Sequence, residues 1–245
     1  MRRNRVWIAA AGVLTLLATG CGKSGNVFKP SVDQQKKLGD EAAKEYEKKY
    51  KFVTGDKLAR TERVGERLYQ ALPEDDRKTW TYKFHVVEDK EVNAFAIPGG
   101  NVYMYTGLLD RITTDDELAA VLGHEMTHVR AQHWAKQVAS NQERSAGLSV
   151  LLGAMKASSD WYSAADVVNT LSDLRYSRKD EDEADAGGLS NMVAAGFDPQ
   201  GMLDLFKILQ DAGGSGGTPA FLRDHPMTSD RVKKTQERIA ALKKG

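Results

Sequence analysis

Ser31 precedes Val32, Leu38, Ala42 and Ala43 set among charges, a helical spacing that fades near Lys51. A second stretch, from about Lys57 to Leu72, also reads as helix and is closed by Pro73. The period then changes. Tyr82, Phe84 and Val86 alternate with Lys83 and His85, which predicts a strand. Val92 to Ile97 predicts another, turning at Pro98-Gly99-Gly100 into a third over Val102 to Tyr105. After Gly107 the pattern is helical over about 114–138, 141–157, 160–174, 177–195, 199–211 and 229–243, with no internal repeat. Gly213 to Gly217 reads as a flexible loop before the last helix. The elements predict an α+β fold, mostly helical, with a small antiparallel sheet packed on the helix over 114–138.

The 245 residues hold 35 Lys plus Arg against 34 Asp plus Glu, a formal charge of +1. That balance argues against nucleic-acid binding by bulk charge. Hydrophobic residues at 41% and charged residues at 28% exclude wholesale disorder, and the length suits one or two domains. The single cysteine, Cys21, excludes an internal disulfide and a Cys-rich metal cluster, so any metal site has to use His, Asp or Glu.

The amino terminus reads as a targeting segment. Arg2, Arg3 and Arg5 precede an uncharged run from Val6 to Thr19, shorter than the roughly 20 residues that span a bilayer. Ala18-Thr19-Gly20-Cys21 resembles the lipobox of bacterial lipoproteins, with Ala18 where a large aliphatic residue is usual. The resemblance implies cleavage before Cys21 and lipidation of Cys21. Gly22 is not the Asp associated with inner-membrane retention, which points to the periplasmic face of the outer membrane in a Gram-negative host. The expected layout is a signal peptide over 1–20, a lipid-anchored tether over 21–30 and one domain over 31–245.

Candidate chemistry sits in His124-Glu125-Met126-Thr127-His128. Thr114 with Glu117 three residues on is a capping-box start, and Leu118, Val121 and Leu122 supply an apolar face, so the segment should be helical. At about 100° per residue, His124 and His128 project about 40° apart and one turn apart, so two imidazoles can grip one ion. Glu125 lies about 100° round, within reach of a water activated by that ion without being a ligand. A catalytic zinc site wants a third protein ligand. Glu181 and Asp185 form a second i,i+4 pair on a helix that Ser177 and Asp180 can cap. Ala184, Ala186, Gly187 and Gly188 would let that helix approach another closely.

Taken in order, Asn93-Ala94-Phe95-Ala96, the HEMTH helix, the segment from Ser177-Arg178 through Glu181 to Ala184-Asp185, and Asp224-His225-Pro226 resemble the HtpX-like and CAAX-protease-like zinc metallopeptidases of the gluzincin type, especially their small bacterial lipoprotein members. The resemblance implies one Zn2+ per chain on His124, His128 and Glu181, with Asp185 orienting a ligand histidine. It implies a zinc endopeptidase that hydrolyses unfolded or misassembled envelope proteins, with Glu125 as general base. HtpX itself has transmembrane helices, whereas no such run follows residue 20 here.

Arg178, Tyr176 and His225 are candidate donors to the developing oxyanion, and Arg178 could instead pair with nearby acids. His225 has a further reading, as a fourth ligand that silences the site until its loop moves. Asn93, Ala94, Phe95 and Ala96 lie on the strand expected to align an extended substrate by backbone pairing. His133, five residues past His128 and about 140° round, reads as a helix-surface or packing residue, and His85 as solvent-facing. A rival class is a lipoprotein chaperone or assembly factor that holds unfolded proteins in the same groove without cutting them. Glu125 favours the enzyme, because a pure binder has no need of a base beside the metal.

Overall fold

The computed structural model describes residues 29–141, 175–214 and 217–243. The expected signal peptide, Cys21, the tether up to residue 28, the helix over 160–174 and nearly all of that over 141–157 lie outside them. Among the described residues no helix is long and apolar enough to cross a membrane.

Helix α1 (Val32–Glu47) starts on a capping box, with Gln34 N–H donating to Ser31 Oγ at 3.2 Å and Ser31 N–H to Gln34 Oε1 at 2.8 Å. Helix α2 is Asp56–Gln70. Pro73 does more than end it: as the N-cap it opens a short helix α3 (Glu74–Thr79), whose Glu74, Asp75 and Asp76 sit at the positive end of the helix dipole. Strands β1 (Lys83–Val87), β2 (Ala94–Ala96) and β3 (Asn101–Tyr105) follow, then α4 (Thr106–Leu109), α5 (Asp115–Arg130), a helical stretch over 133–141, α6 (Arg178–Ala194), α7 (Gln200–Gly213), α8 (Ala220–Asp224) and α9 (Ser229–Leu242).

The sheet differs from the all-antiparallel expectation. Its order is β1-β3-β2; β2 and β3 form the expected antiparallel hairpin, but β1 runs parallel to β3. Strand β3 is buried at all five positions and takes the centre, whereas β2 has only three residues and stays at an edge. A simple meander would have put that short strand in the middle.

Helix α5 is the axis of the molecule. Every residue from Glu117 to Val129 is buried, because α2, α6, α7 and the sheet pack around it. Its closest neighbour is α6. At their crossing Gly123 faces Gly188, and a Cβ added to Gly188 would lie 2.9 Å from His124 N and 3.0 Å from Gly123 C. Nothing larger than hydrogen fits between the two backbones.

The single helix expected over 114–138 is broken. Helix α5 caps at Ala131, Gln132 takes a left-handed φ of 56°, and helix resumes at residue 133. Gln35 Nε2 donates to Gln132 Oε1 at 3.0 Å, so α1 holds the side chain of this strained residue.

Candidate metal centre

Helix α5 presents His124 and His128 one turn apart, α6 presents Glu181, and the residue capping α8 presents His225; all four are buried. Their facing ligand atoms lie within 4.8 Å of one another. His124 Nε2 is 3.0 Å from His128 Nε2 and 3.2 Å from His225 Nδ1, and His225 Nδ1 is 2.9 Å from Glu181 Oε1. Glu181 also approaches His128 Nε2 to 3.5 Å and His124 Nε2 to 3.6 Å. Donors of a tetrahedral zinc site stand about 3.3 Å apart, so three nitrogens and a carboxylate here have the spacing and chemistry of a cation site. Glu125 lies beside this set and outside it. Its Oε1 is buried without a hydrogen-bond partner, 3.5 Å from His225 Nε2, and the Ala96 backbone N–H bonds the carboxylate.

Charges around the cluster set the protonation of its members. Asp185 Oδ1 accepts from His124 Nδ1 at 3.1 Å, which places the proton there and leaves Nε2 free. Arg231 of α9 grips Asp185 through Nε at 2.8 Å and Nη2 at 2.7 Å, and its Nη1 lies 2.6 Å from Glu181 Oε2. Burial opposes ionisation of Asp185, but the bonds from Arg231 and His124 prevail and hold it at about 2. Burial likewise opposes ionisation of Glu181, yet His225, His124 and Arg231 keep it below its usual range. Burial drives His128 well below the ordinary histidine value, reinforced by His124 and His225, so it stays neutral. Glu125 goes the other way, raised chiefly by burial. Burial disfavours charge on His225, but Glu181 and Glu125 outweigh it and raise that residue to about 8. Two buried carboxylates thus draw positive charge into the pocket.

The remaining expected residues divide. Tyr176 is buried with its ring stacked 3.9 Å from that of His128, and burial keeps its hydroxyl protonated far above the ordinary range. Arg178 stays exposed on the first turn of α6, and no ion pair joins it to an acid among the described residues. The guanidinium that does reach the cluster is Arg231, whose sequence context gave no signal. Asn93 is buried, and β2 carries Ala94, Phe95 and Ala96. Asn93 O accepts from Tyr105 N and Ile97 N donates to Asn101 O, so by the alternation of an antiparallel ladder the backbone groups of Ala94 and Ala96 face away from β3, and the Ala96 N–H meets Glu125.

Of the two other histidines, His133 takes the packing role, one of its two expected readings, and His85 departs from expectation. His133 is not on a helix surface: the break at Gln132 swings it back so that its Nδ1 lies 2.9 Å from His128 Nδ1, buried. His85 is half-buried, stacked 4.7 Å from Tyr103 and bonded to Asn101 Oδ1 at 3.1 Å. A strand position beside two aromatics is sheltered whatever the alternation says.

A helix bearing HExxH, a glutamate from a second helix and a separate buried glutamate define the site of a metallopeptidase. Residues 57–239 match the description of Peptidase family M48, and the chain belongs to that family. It is similar to Mitochondrial metalloendopeptidase OMA1 of Schizosaccharomyces pombe, 32% identical over 216 residues that cover 84% of this chain and 61% of that protein. It is similar to Beta-barrel assembly-enhancing protease of Escherichia coli K12, 31% identical over 172 residues, 66% of this chain and 35% of that one. Metalloprotease LoiP of Escherichia coli K12 is 28% identical over 263 residues, with 97% of each chain covered. The chain therefore spans less than two thirds of the first two proteins and nearly all of the third.

Proposed function

We propose that the chain is a zinc endopeptidase that cuts unfolded or misassembled proteins of the bacterial envelope. The observation that carries this is Glu125, a buried carboxylate with an unpartnered oxygen beside four donors converged on one point. His124, His128 and Glu181 hold the zinc, which when bound supplies Lewis acidity for the scissile carbonyl. Glu125 takes the proton of the attacking water and returns it to the leaving amine. Asp185 keeps His124 in the tautomer that leaves Nε2 free, and Arg231 balances Glu181 and Asp185. The outward backbone groups of Ala94 and the carbonyl of Ala96 pair with an extended substrate, with Asn93 and Phe95 completing that strand. Backbone pairing reads no side chain, so specificity is loose. Relatives named as proteases, one of them for enhancing β-barrel assembly, support protein substrates and an envelope location. The lipobox-like segment supports an anchor on Cys21 at the periplasmic face of the outer membrane.

His225 rests as the fourth donor and silences the site. Its Nδ1 lies against His124 and Glu181 while its Nε2 faces Glu125, which is the volume a water and a substrate carbonyl need. Its segment is held by Phe221 N–H to Val92 O at 3.1 Å, Tyr176 N–H to Asp224 O at 3.3 Å, and the exposed pair of Arg223 with Glu91. Arg231 Nη1 also donates to His225 O at 3.4 Å and Pro226 O at 3.1 Å, so release requires these bonds to break.

The test is the Glu125→Gln variant with unfolded casein as substrate. Cleavage should fall by about 10²–10⁴-fold, the usual contribution of a general base, while about one zinc per chain is retained. Normal cleavage by this variant would refute the mechanism. Capture of envelope proteins by the wild-type chain without any cutting would favour the chaperone reading instead.

A further inference from the structure

We infer that His133 is a positioning residue, one that fixes the tautomer of the zinc ligand His128; this rests on the metallopeptidase reading above. His128 turns Nε2 towards the other donors, so its proton has to sit on Nδ1 if that face is to offer a lone pair. The partner of Nδ1 is His133 Nδ1, at 2.9 Å in a buried contact. Two ring nitrogens facing each other at that distance share one proton, and either histidine could carry it.

The surroundings of His133 decide which. Its Nε2 is buried without a hydrogen-bond partner but lies near the start of α6, 3.4 Å from Glu183 Oε2 and 3.6 Å from Asp180 Oδ1, close enough for their charge to act on it. A lone pair aimed at two carboxylates is repelled and an N–H is attracted, so the His133 proton belongs on Nε2. His133 Nδ1 is then an acceptor, and the His128 proton is forced onto Nδ1 facing it. The order is therefore His128 Nδ1–H to His133 Nδ1, and His133 Nε2–H towards Glu183 and Asp180. The reverse order puts a proton on His128 Nε2, inside the donor set, and a lone pair against two acids. Asp185 does for His124 what His133 does for His128, one through a carboxylate and the other through a neutral ring.

The backbone supports the assignment. On an uninterrupted helix His133 would project about 140° from His128 and could not touch it. The left-handed Gln132 creates the contact, and a non-glycine residue held at a positive φ marks a geometry that the surrounding structure maintains against strain.

The experiment measures zinc affinity by chelator competition for the wild type, His133→Phe and His133→Asn, together with long-range ¹H–¹⁵N correlation of the histidine rings in the zinc-loaded wild type. The rings should show His128 protonated at Nδ1 and His133 at Nε2. His133→Phe keeps the ring shape without an acceptor and should lose about 10- to 100-fold in affinity, as loss of an outer hydrogen-bond partner does. In His133→Asn the amide oxygen replaces the acceptor, and most of that loss should be recovered. If His133→Phe fails to fold, Glu183→Ala at a surface position should still weaken zinc binding several-fold. A proton on His133 Nδ1, unchanged affinity in His133→Phe, or equal losses in both His133 variants would overturn the inference. A wild-type chain that binds no zinc overturns the metallopeptidase reading itself, which separates the two failures.

Discussion

Replacing Gly188 with alanine sets two known effects against each other at the α5–α6 crossing. In an unconstrained helix the change stabilises by about 1 kcal/mol, because glycine loses more backbone entropy on folding. Here the new Cβ would stand 2.9 Å from His124 N and 3.0 Å from Gly123 C, where ordinary contacts are 3.4–4 Å. Both neighbours are backbone, so no side chain can swing aside, and α6 has to retreat by about half an ångström. Overpacking of this kind costs about 1–3 kcal/mol, so the sum is a destabilisation of up to about 2 kcal/mol. The effect on the site is larger than that sum suggests. Glu181 and Asp185 ride on α6 while His124 and His128 ride on α5, and metal sites tolerate about 0.2 Å in ligand distance. Zinc affinity should therefore fall at least about tenfold. Urea unfolding and chelator competition on Gly188→Ala read the two quantities, with Ser190→Ala, at an exposed position of the same helix, as the control for helix propensity. If Gly188→Ala gains about 1 kcal/mol and binds zinc like the wild type, the close crossing is not what aligns the donors.

His225→Ala should raise basal cleavage of casein at equal zinc content, since it removes the resting fourth donor; a lowered rate would instead make His225 an aid to the transition state, and equal rates would dispose of both roles. Cys21→Ser should release the protein from the membrane fraction or leave an unprocessed precursor, and unchanged fractionation and processing would sink the anchor. Asp185 has a native value of about 2 against an ordinary 3.8, so it stabilises above about pH 4 and that contribution disappears as pH falls towards 2. Comparing urea midpoints of wild type and Asp185→Asn between pH 5 and pH 2, the wild type should lose about 2 kcal/mol more; parallel curves would show that Asp185 is not held ionised by Arg231 and His124.

What the sequence disclosed and what it hid have separate physical causes. Ser31, Thr114 and Ser177 open helices that cap as local chemistry requires, because a side chain reaching back three residues needs no tertiary partner. His124, Glu125 and His128 were legible for the same reason, being fixed by one helical turn. Arg231 was not. On α9 it looks like any other basic residue of an amphipathic helix, and only the docking of α9 against α6 buries it beside Asp185 and Glu181. The contact of His133 with His128 was hidden because no glycine or proline announces the break at Gln132, a strain that α1 supports from nearly a hundred residues away. The parallel pairing of β1 depends on which strand wins the centre, a competition between buried faces that alternation along one strand cannot report.

The placement of Arg231 has a consequence for the order in which the chain becomes dangerous to its surroundings. The ribosome makes the histidine pair on α5 roughly a hundred residues before the arginine that neutralises Asp185 and Glu181. Until α9 has docked, Asp185 and Glu181 have only the cluster histidines to offset their charge in a buried site, which weakens the hold of α6 on α5. A nascent or carboxy-terminally clipped chain would therefore assemble the cluster less readily, and full competence would come late in synthesis. Proteolytic trimming within α9 would weaken the cluster while leaving the four candidate donors and Glu125 in place along the chain.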